Sequence, residues 1–171
     1  MGALAEPIRT VAVLVANPAL SSILSMTLAG ATSLRVRPFD TQIALTTYLH
    51  LAPADLVIAD FDSVPARADR LAQDLRHDAS VHSRDLQIIA LASSLTPDAK
   101  AASIHAGIDE IIMKPMSPKY LVERVMARLA QRERKPAPYR GPERRVARRR
   151  DWAGFGDNVV PLFGKKLEPQ L

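Results

Sequence analysis

Side chains suited to phosphate chemistry gather in two places along this chain. Asp60 closes a short apolar run at 55–60 and Lys114 follows another at 110–113, so a fold that aligns the two runs would set a carboxylate beside an ammonium. Between Tyr139 and Phe155, six arginines are interleaved with aromatic residues and glycines. Planar guanidinium groups fork onto phosphate oxygens, and their faces, with those of Tyr139 and Trp152, stack on purine bases. Plain charge attraction would need neither the aromatic residues nor Gly141 and Pro142, so the segment suits a ligand that combines phosphates with bases.

Other chemistries lack their residues. The chain has no Cys, which excludes thiolate metal sites, a Cys nucleophile and disulfides, and fits a reducing cytoplasm. His50, His77, His82 and His105 show no metal-ligand spacing and read as surface or boundary residues. No phosphate-binding Gly-rich loop, Ser elbow or dinucleotide fingerprint follows a strand. Neither an enzyme nor a metal site is expected.

The net charge of +5 is unevenly placed: residues 131–171 carry 11 Lys/Arg against 5 Asp/Glu, whereas residues 1–130 carry 12 against 13. A near-neutral body with a basic arm implies an anionic partner for the arm: a nucleotide, nucleic acid or an acidic protein. The N-terminal apolar run is too short to span a bilayer and ends at Asn17-Pro18, so it reads as a buried strand, with no membrane insertion expected. Glu6 stands where a myristoylation signal wants Ser or Thr.

The elements that must position Asp60 and Lys114 follow from periodicity. Strands are expected at 10–16, 33–39, 55–60, 86–91 and 110–113, and all but the second are continuous apolar runs suited to burial on both faces. Helices are expected at 18–29, 41–51, 64–77, 97–106 and 118–132. Thr96-Pro97 and Ser117-Pro118 have N-cap chemistry, and Gly107 stands where a left-handed helix end is wanted. Leu121, Val122, Val125, Met126 and Leu129 recur at helical spacing as a buried face. Five such units make an α/β fold, a doubly wound five-stranded parallel sheet with its sites at the carboxyl ends of the strands. Those ends are Ala16-Asn17, Asp60, Ala92-Ser93 and Lys114-Pro115. The expected organisation is a domain at 8–132, a Pro-rich linker at 133–138 and a basic tail at 139–171 that is disordered or folds on binding.

ADLVIADFDSVP and GIDEIIMKPM resemble the third and fifth strands of response-regulator receiver domains of the single-domain chemotaxis type, and the resemblance covers roughly residues 8–132. It implies a flavodoxin-like (βα)5 fold. Asp60 takes the phospho-acceptor position, Lys114 the phosphate-pairing position, and the Lys114-Pro115 peptide is expected to be cis. The sequence departs from the family where phosphate is handled. The acidic pair that holds Mg²⁺ reads Ala16-Asn17, the hydroxyl residue of the fourth strand reads Ala92 with Ser93 following, and the aromatic switch residue of the fifth strand is Ile111. Magnesium needs hard anionic oxygens, so with only Asp60 and Asn17 left its binding is expected to be weak or absent. Asp60 is therefore read as a carboxylate paired with Lys114, with phospho-acceptance the alternative.

YRGPERR and the following Trp152 resemble the arginine-rich extension of CheY-like proteins that bind cyclic di-GMP and act on the flagellar motor. The resemblance implies a nucleotide site of Tyr139, Arg140, Gly141, Pro142, Arg144, Arg145, Arg148, Arg149, Arg150, Asp151 and Trp152. Arg144-x-x-x-Arg148, Arg145-x-x-x-Arg149 and Arg148-x-x-Asp151 match short cyclic di-GMP signatures of other families, and Tyr139-x-Gly141 is echoed by Trp152-x-Gly154. The second half lacks the arginine pair of a full repeat. The expected function is a non-enzymatic, cytoplasmic adaptor, a degenerate receiver that binds cyclic di-GMP through the tail and contacts a protein target such as the flagellar switch. It would hold no tightly bound cofactor. The alternatives are a phosphorylation-dependent regulator and a basic-tailed protein associated with nucleic acid. The apolar cluster Val159 to Phe163 is expected to be a loosely packed end or a docking segment.

Overall fold

The structure, a computed structural model, describes residues 7–63 and 67–134. Five strands, β1 (Arg9–Leu14), β2 (Leu34–Phe39), β3 (Leu56–Asp60), β4 (Gln87–Ala92) and β5 (Glu110–Met113), alternate with five helices, α1 (Pro18–Ala29), α2 (Gln42–Leu51), α3 (Ala68–His77), α4 (Pro97–Ala106) and α5 (Pro118–Arg134). The strands form one parallel sheet in the order β2-β1-β3-β4-β5.

Aliphatic composition selects the central strands: every residue of β3 and β4 is buried, because helices cover both faces. On one face Leu45 and Leu49 of α2, Leu71 and Leu75 of α3 and Ala106 of α4 pack against Ala12, Val57 and Ile88. On the other, Leu24 and Leu28 of α1 and Leu121, Val125 and Leu129 of α5 cover Val13, Ile58 and Ile89. Each buried leucine contributes about 2–5 kcal/mol against truncation to Ala.

Side-chain caps start the helices where Ser, Thr and Asn were placed to do so. The hydroxyls of Thr41, Thr96 and Ser117 accept the backbone N–H of Ala44, Ala99 and Tyr120 at 3.2, 3.1 and 3.1 Å. Gly107 ends α4 at φ 83°, a conformation that an L side chain resists, and an added Cβ would also lie 3.0 Å from the Arg76 side chain. The Lys114-Pro115 peptide is cis.

Several expected boundaries move. β1 stops at Leu14 rather than residue 16, where its pairing with both neighbours ends and the chain turns toward the cap of α1. α3 begins at Ala68, not residue 64, because Arg67 is extended; Val64 to Ala66 lie outside the described residues. α5 runs to Arg134, two residues into the segment assigned to the linker. β5, expected to be covered on both faces, is an edge strand with Met113 exposed. On α5, Leu121, Val125 and Leu129 are buried as expected, whereas Val122 is half-buried and Met126 exposed. The rest of the expected linker and the whole tail at 139–171 lie outside the described residues.

Candidate functional site

Parallel register delivers Asp60, the last residue of β3, to the carboxyl edge of the sheet beside the β5–α5 connection. There Lys114 Nζ donates to Asp60 Oδ1 at 2.9 Å. The expected pair is present, and the Asp60 side chain is only 9% exposed.

The sequence reading missed a third member. Asp62, two residues past the strand, places Oδ2 at 2.9 Å from the same Lys114 Nζ and accepts the Ser93 backbone N–H at 2.7 Å. The Asp62 backbone N–H donates to Asp60 Oδ1 at 3.0 Å. Lys114 therefore sits between two carboxylates. Burial would push the Asp62 carboxyl up, but the bonds from Lys114 and Ser93 outweigh it and hold the group below the ordinary carboxylate range. Burial likewise works against the Lys114 charge, and the two carboxylates outweigh it, holding the ammonium above the ordinary lysine range. Spacing could have signalled Asp62: in Asp60-Phe61-Asp62 the second acid lies one turn residue beyond a buried strand end.

Two expected contributors have other work. Asn17 Oδ1 accepts the backbone N–H of Ala19 at 3.0 Å and Leu20 at 3.2 Å, so this side chain is the N-cap of α1. Ser93 is drawn to Asp62, and Ala92 is fully buried, with no hydroxyl to offer. Ile111 packs against the cluster formed by α2, α3 and α4. The magnesium that such a fold implies does not fit this donor set: Ala16 has no donor, the Asn17 carbonyl is committed to a cap, and the ammonium of Lys114 sits against both carboxylates. Among the described residues, no group of three His, Asp or Glu side chains could hold a metal ion.

Among the histidines read as surface or boundary residues, His77 Nδ1 lies 2.7 Å from Gln73 O on its own helix, and His50 Nε2 lies 2.5 Å from Asp78 Oδ2 and joins the end of α2 to the end of α3. The Ser80 backbone N–H first, and His50 second, hold the Asp78 carboxyl below its ordinary range. The eleven residues read as a nucleotide site, from Tyr139 to Trp152, lie outside the described residues.

The fold and the sequence both have counterparts among known proteins. The response regulator MtrA of Mycolicibacterium smegmatis, a DNA-binding protein by name, is 32% identical over 127 residues, 71% of this chain and 50% of MtrA. The chain thus spans about half the length of the curated relative it matches. The structure superposes on a CheY-like receiver domain from Methanospirillum hungatei with a TM-score of 0.67 at 16% identity, covering 75% of this chain and 99% of that one. A receiver domain of a histidine kinase from Syntrophus aciditrophicus gives 0.65 at 20% identity, over 75% and 96% of the two chains. The folded part of this chain has the receiver-domain fold and is similar in sequence to a response regulator. No family model matches the chain. Receiver domains are signalling modules that act through contacts with other proteins. Asp60 and Lys114 stand at the positions that the sequence resemblance expects for the acceptor and the phosphate-pairing lysine, and Ala16-Asn17 at those expected for the metal-binding acids. No helix among the described residues is long and apolar enough to cross a membrane.

Proposed function

We propose that this protein is a non-enzymatic signalling adaptor in which the receiver domain supplies a protein-binding surface and the arginine-rich arm takes the input, cyclic di-GMP. The observation that carries the reading is the pairing of a metal-poor strand end, with Lys114 held between Asp60 and Asp62, with an arm of six arginines and interleaved aromatic residues. Phosphoryl transfer to a carboxylate needs a cation to offset the charge of the incoming group. The strand end offers none beyond Lys114, and Lys114 is occupied. The arm has the chemistry that the strand end lacks: guanidinium forks for phosphates, and the faces of Tyr139 and Trp152 for bases.

The output side has its own support. Ile104 of α4, Met113 of β5 and Tyr120 of α5 are 65%, 44% and 47% exposed, so neighbouring elements carry apolar side chains available to a protein target. A flagellar switch protein is the target that the resemblance of the arm suggests. Folding of the arm around the nucleotide would create or expose a binding surface.

Calorimetry on the intact chain at physiological salt tests the input. Saturable binding of cyclic di-GMP that disappears in Arg145→Ala and Trp152→Ala is expected. Heat that does not saturate, or affinity indifferent to both substitutions, contradicts the reading.

A second reading, a phosphorylation-dependent regulator with Asp60 as acceptor, draws support from the 2.9 Å Asp60–Lys114 contact and from the similarity to a response regulator. A third, association with nucleic acid through the arm, predicts steep salt dependence and little preference among polyanions.

A further inference from the structure

A cavity of about 620 Å³ opens between the carboxyl end of β1, the β2–α2 turn and the partly exposed flank of α2 that carries Ile43 and Thr47. Its volume falls within the range of roughly 300–1,000 Å³ typical of small-molecule sites. It also lies where a doubly wound sheet presents ligands, outside the strand ends beside the crossover from β1 to β3. Asp60, Asp62 and Lys114 are not among its described lining residues.

Its lining specifies a ligand class. Leu14 and Ala16 form an apolar floor, and Ile43, 79% exposed, supplies a wall that a soluble helix gains nothing by leaving in water. Most lining polar groups already have partners: Thr41 Oγ1 caps α2, the Thr46 hydroxyl donates to Gln42 O at 2.9 Å, Gln42 Nε2 donates to Asp74 at 3.1 Å, and His50 is paired with Asp78. Asp40, Thr47 and Ser63 remain among the described lining residues, and all three offer acceptor oxygens. No Lys or Arg is among them, so phosphates and carboxylates find no counter-charge.

Ala16 ties this cavity to the damaged strand end. It stands where the resemblance wants the first of two acidic residues, and an Asp there would set a carboxylate against the apolar floor. Its methyl group both removes a metal ligand and leaves the floor free of charge.

We infer that this cavity is a binding site for a small, uncharged, largely apolar molecule that donates a hydrogen bond to the acceptors at its rim. Such a ligand would give the receiver a chemical input separate from both phosphate and the arm. Indole, an uncharged aromatic compound with one N–H donor, serves as the probe, followed by methyl and amide NMR on the intact chain. Saturable shifts are expected at Leu14, Ala16, Ile43 and Thr47. Ala16→Asp, at an exposed position, should weaken the affinity by about tenfold or more through the cost of a carboxylate beside an apolar ligand. Thr47→Trp, which fills the cavity from the helix surface, should abolish binding, and unchanged thermal unfolding of each variant establishes that it is folded. Shifts that stay linear in indole, shifts spread equally over the exposed apolar residues Ile23, Met26 and Leu51, or affinity unchanged in both variants would overturn the inference.

Discussion

Both ends of this sheet place a cation between two carboxylates, and the two arrangements do different work. At the carboxyl end Lys114 lies between Asp60 and Asp62, each at 2.9 Å. At the amino end Arg132 of α5 bonds to Asp55 Oδ1 and grips Asp85 with two nitrogens at 2.6 and 2.8 Å. Asp55 also accepts the Thr10 backbone N–H at 2.7 Å and lies 3.4 Å from Arg9. The amino-end network spans β1, the start of β3, the loop before β4 and the last turns of α5, so it fastens a helix to the sheet. The carboxyl-end cluster joins only the tips of strands, where a doubly wound fold presents its chemistry. A shared charge pattern therefore says little about role; the elements it joins say more.

The contrast is broken most severely at the amino end. Asp55→Ala would leave the Thr10 N–H without its acceptor and Arg132 with Asp85 alone, loosening α5 from β1 and β3 at an expected cost of about 3 kcal/mol in urea unfolding. A loss no larger than that of a surface pair would remove the distinction between the ends.

Glu110, on the edge strand, is bonded to Arg124 and lies 2.5 Å from Arg128, so it extends the α5 anchoring ladder. Burial opposes its charge, but the two arginines prevail and hold it below its ordinary value of 4.5. A depressed carboxylate stabilises the fold above its unfolded pKa and loses that contribution as pH falls through the folded one. Glu110→Gln should cost about 2 kcal/mol at pH 7, and the gap to the parent should close below pH 4.5.

Lys114→Met should cost less, about 1.5 kcal/mol, since it leaves two partly buried carboxylates without their cation but unfastens no helix. The depressed Asp62 makes this contribution fade as pH falls below its ordinary 3.8, and the raised Lys114 makes it fade as pH climbs past 10.5 toward the folded value. Denaturant midpoints across that range check both limbs. Smallest of the four, Asn17→Ala should lose about 1 kcal/mol as a missing helix cap, with or without added Mg²⁺. Stabilisation of the parent by Mg²⁺ that Asn17→Ala removes would make Asn17 a ligand rather than a cap.

The fold was readable because its determinants are local: continuous aliphatic runs for the buried strands, and Thr96, Ser117 and Gly107 where helices start and stop. The Asp60–Lys114 pair was readable because each residue ends such a run. Asp62 was missed because it sits in a loop, where its meeting with Ser93 depends on how two turns fold toward each other. The cap role of Asn17 was masked by its place in a position associated with metal binding, although Asn before Pro at a helix start is ordinary capping chemistry. The cavity beside Ala16 had no sequence signal, since its walls come from residues up to 49 apart in number that become neighbours only through the packing of β1 with β2, α2 and the loop after β3.

The central claim is that the carboxyl-end cluster has left phosphate chemistry. Incubation of the intact chain with acetyl phosphate and Mg²⁺, followed by intact-mass spectrometry, tests it most directly. The account predicts an unmodified mass; gain of one phosphoryl group, lost in Asp60→Ala, would contradict it.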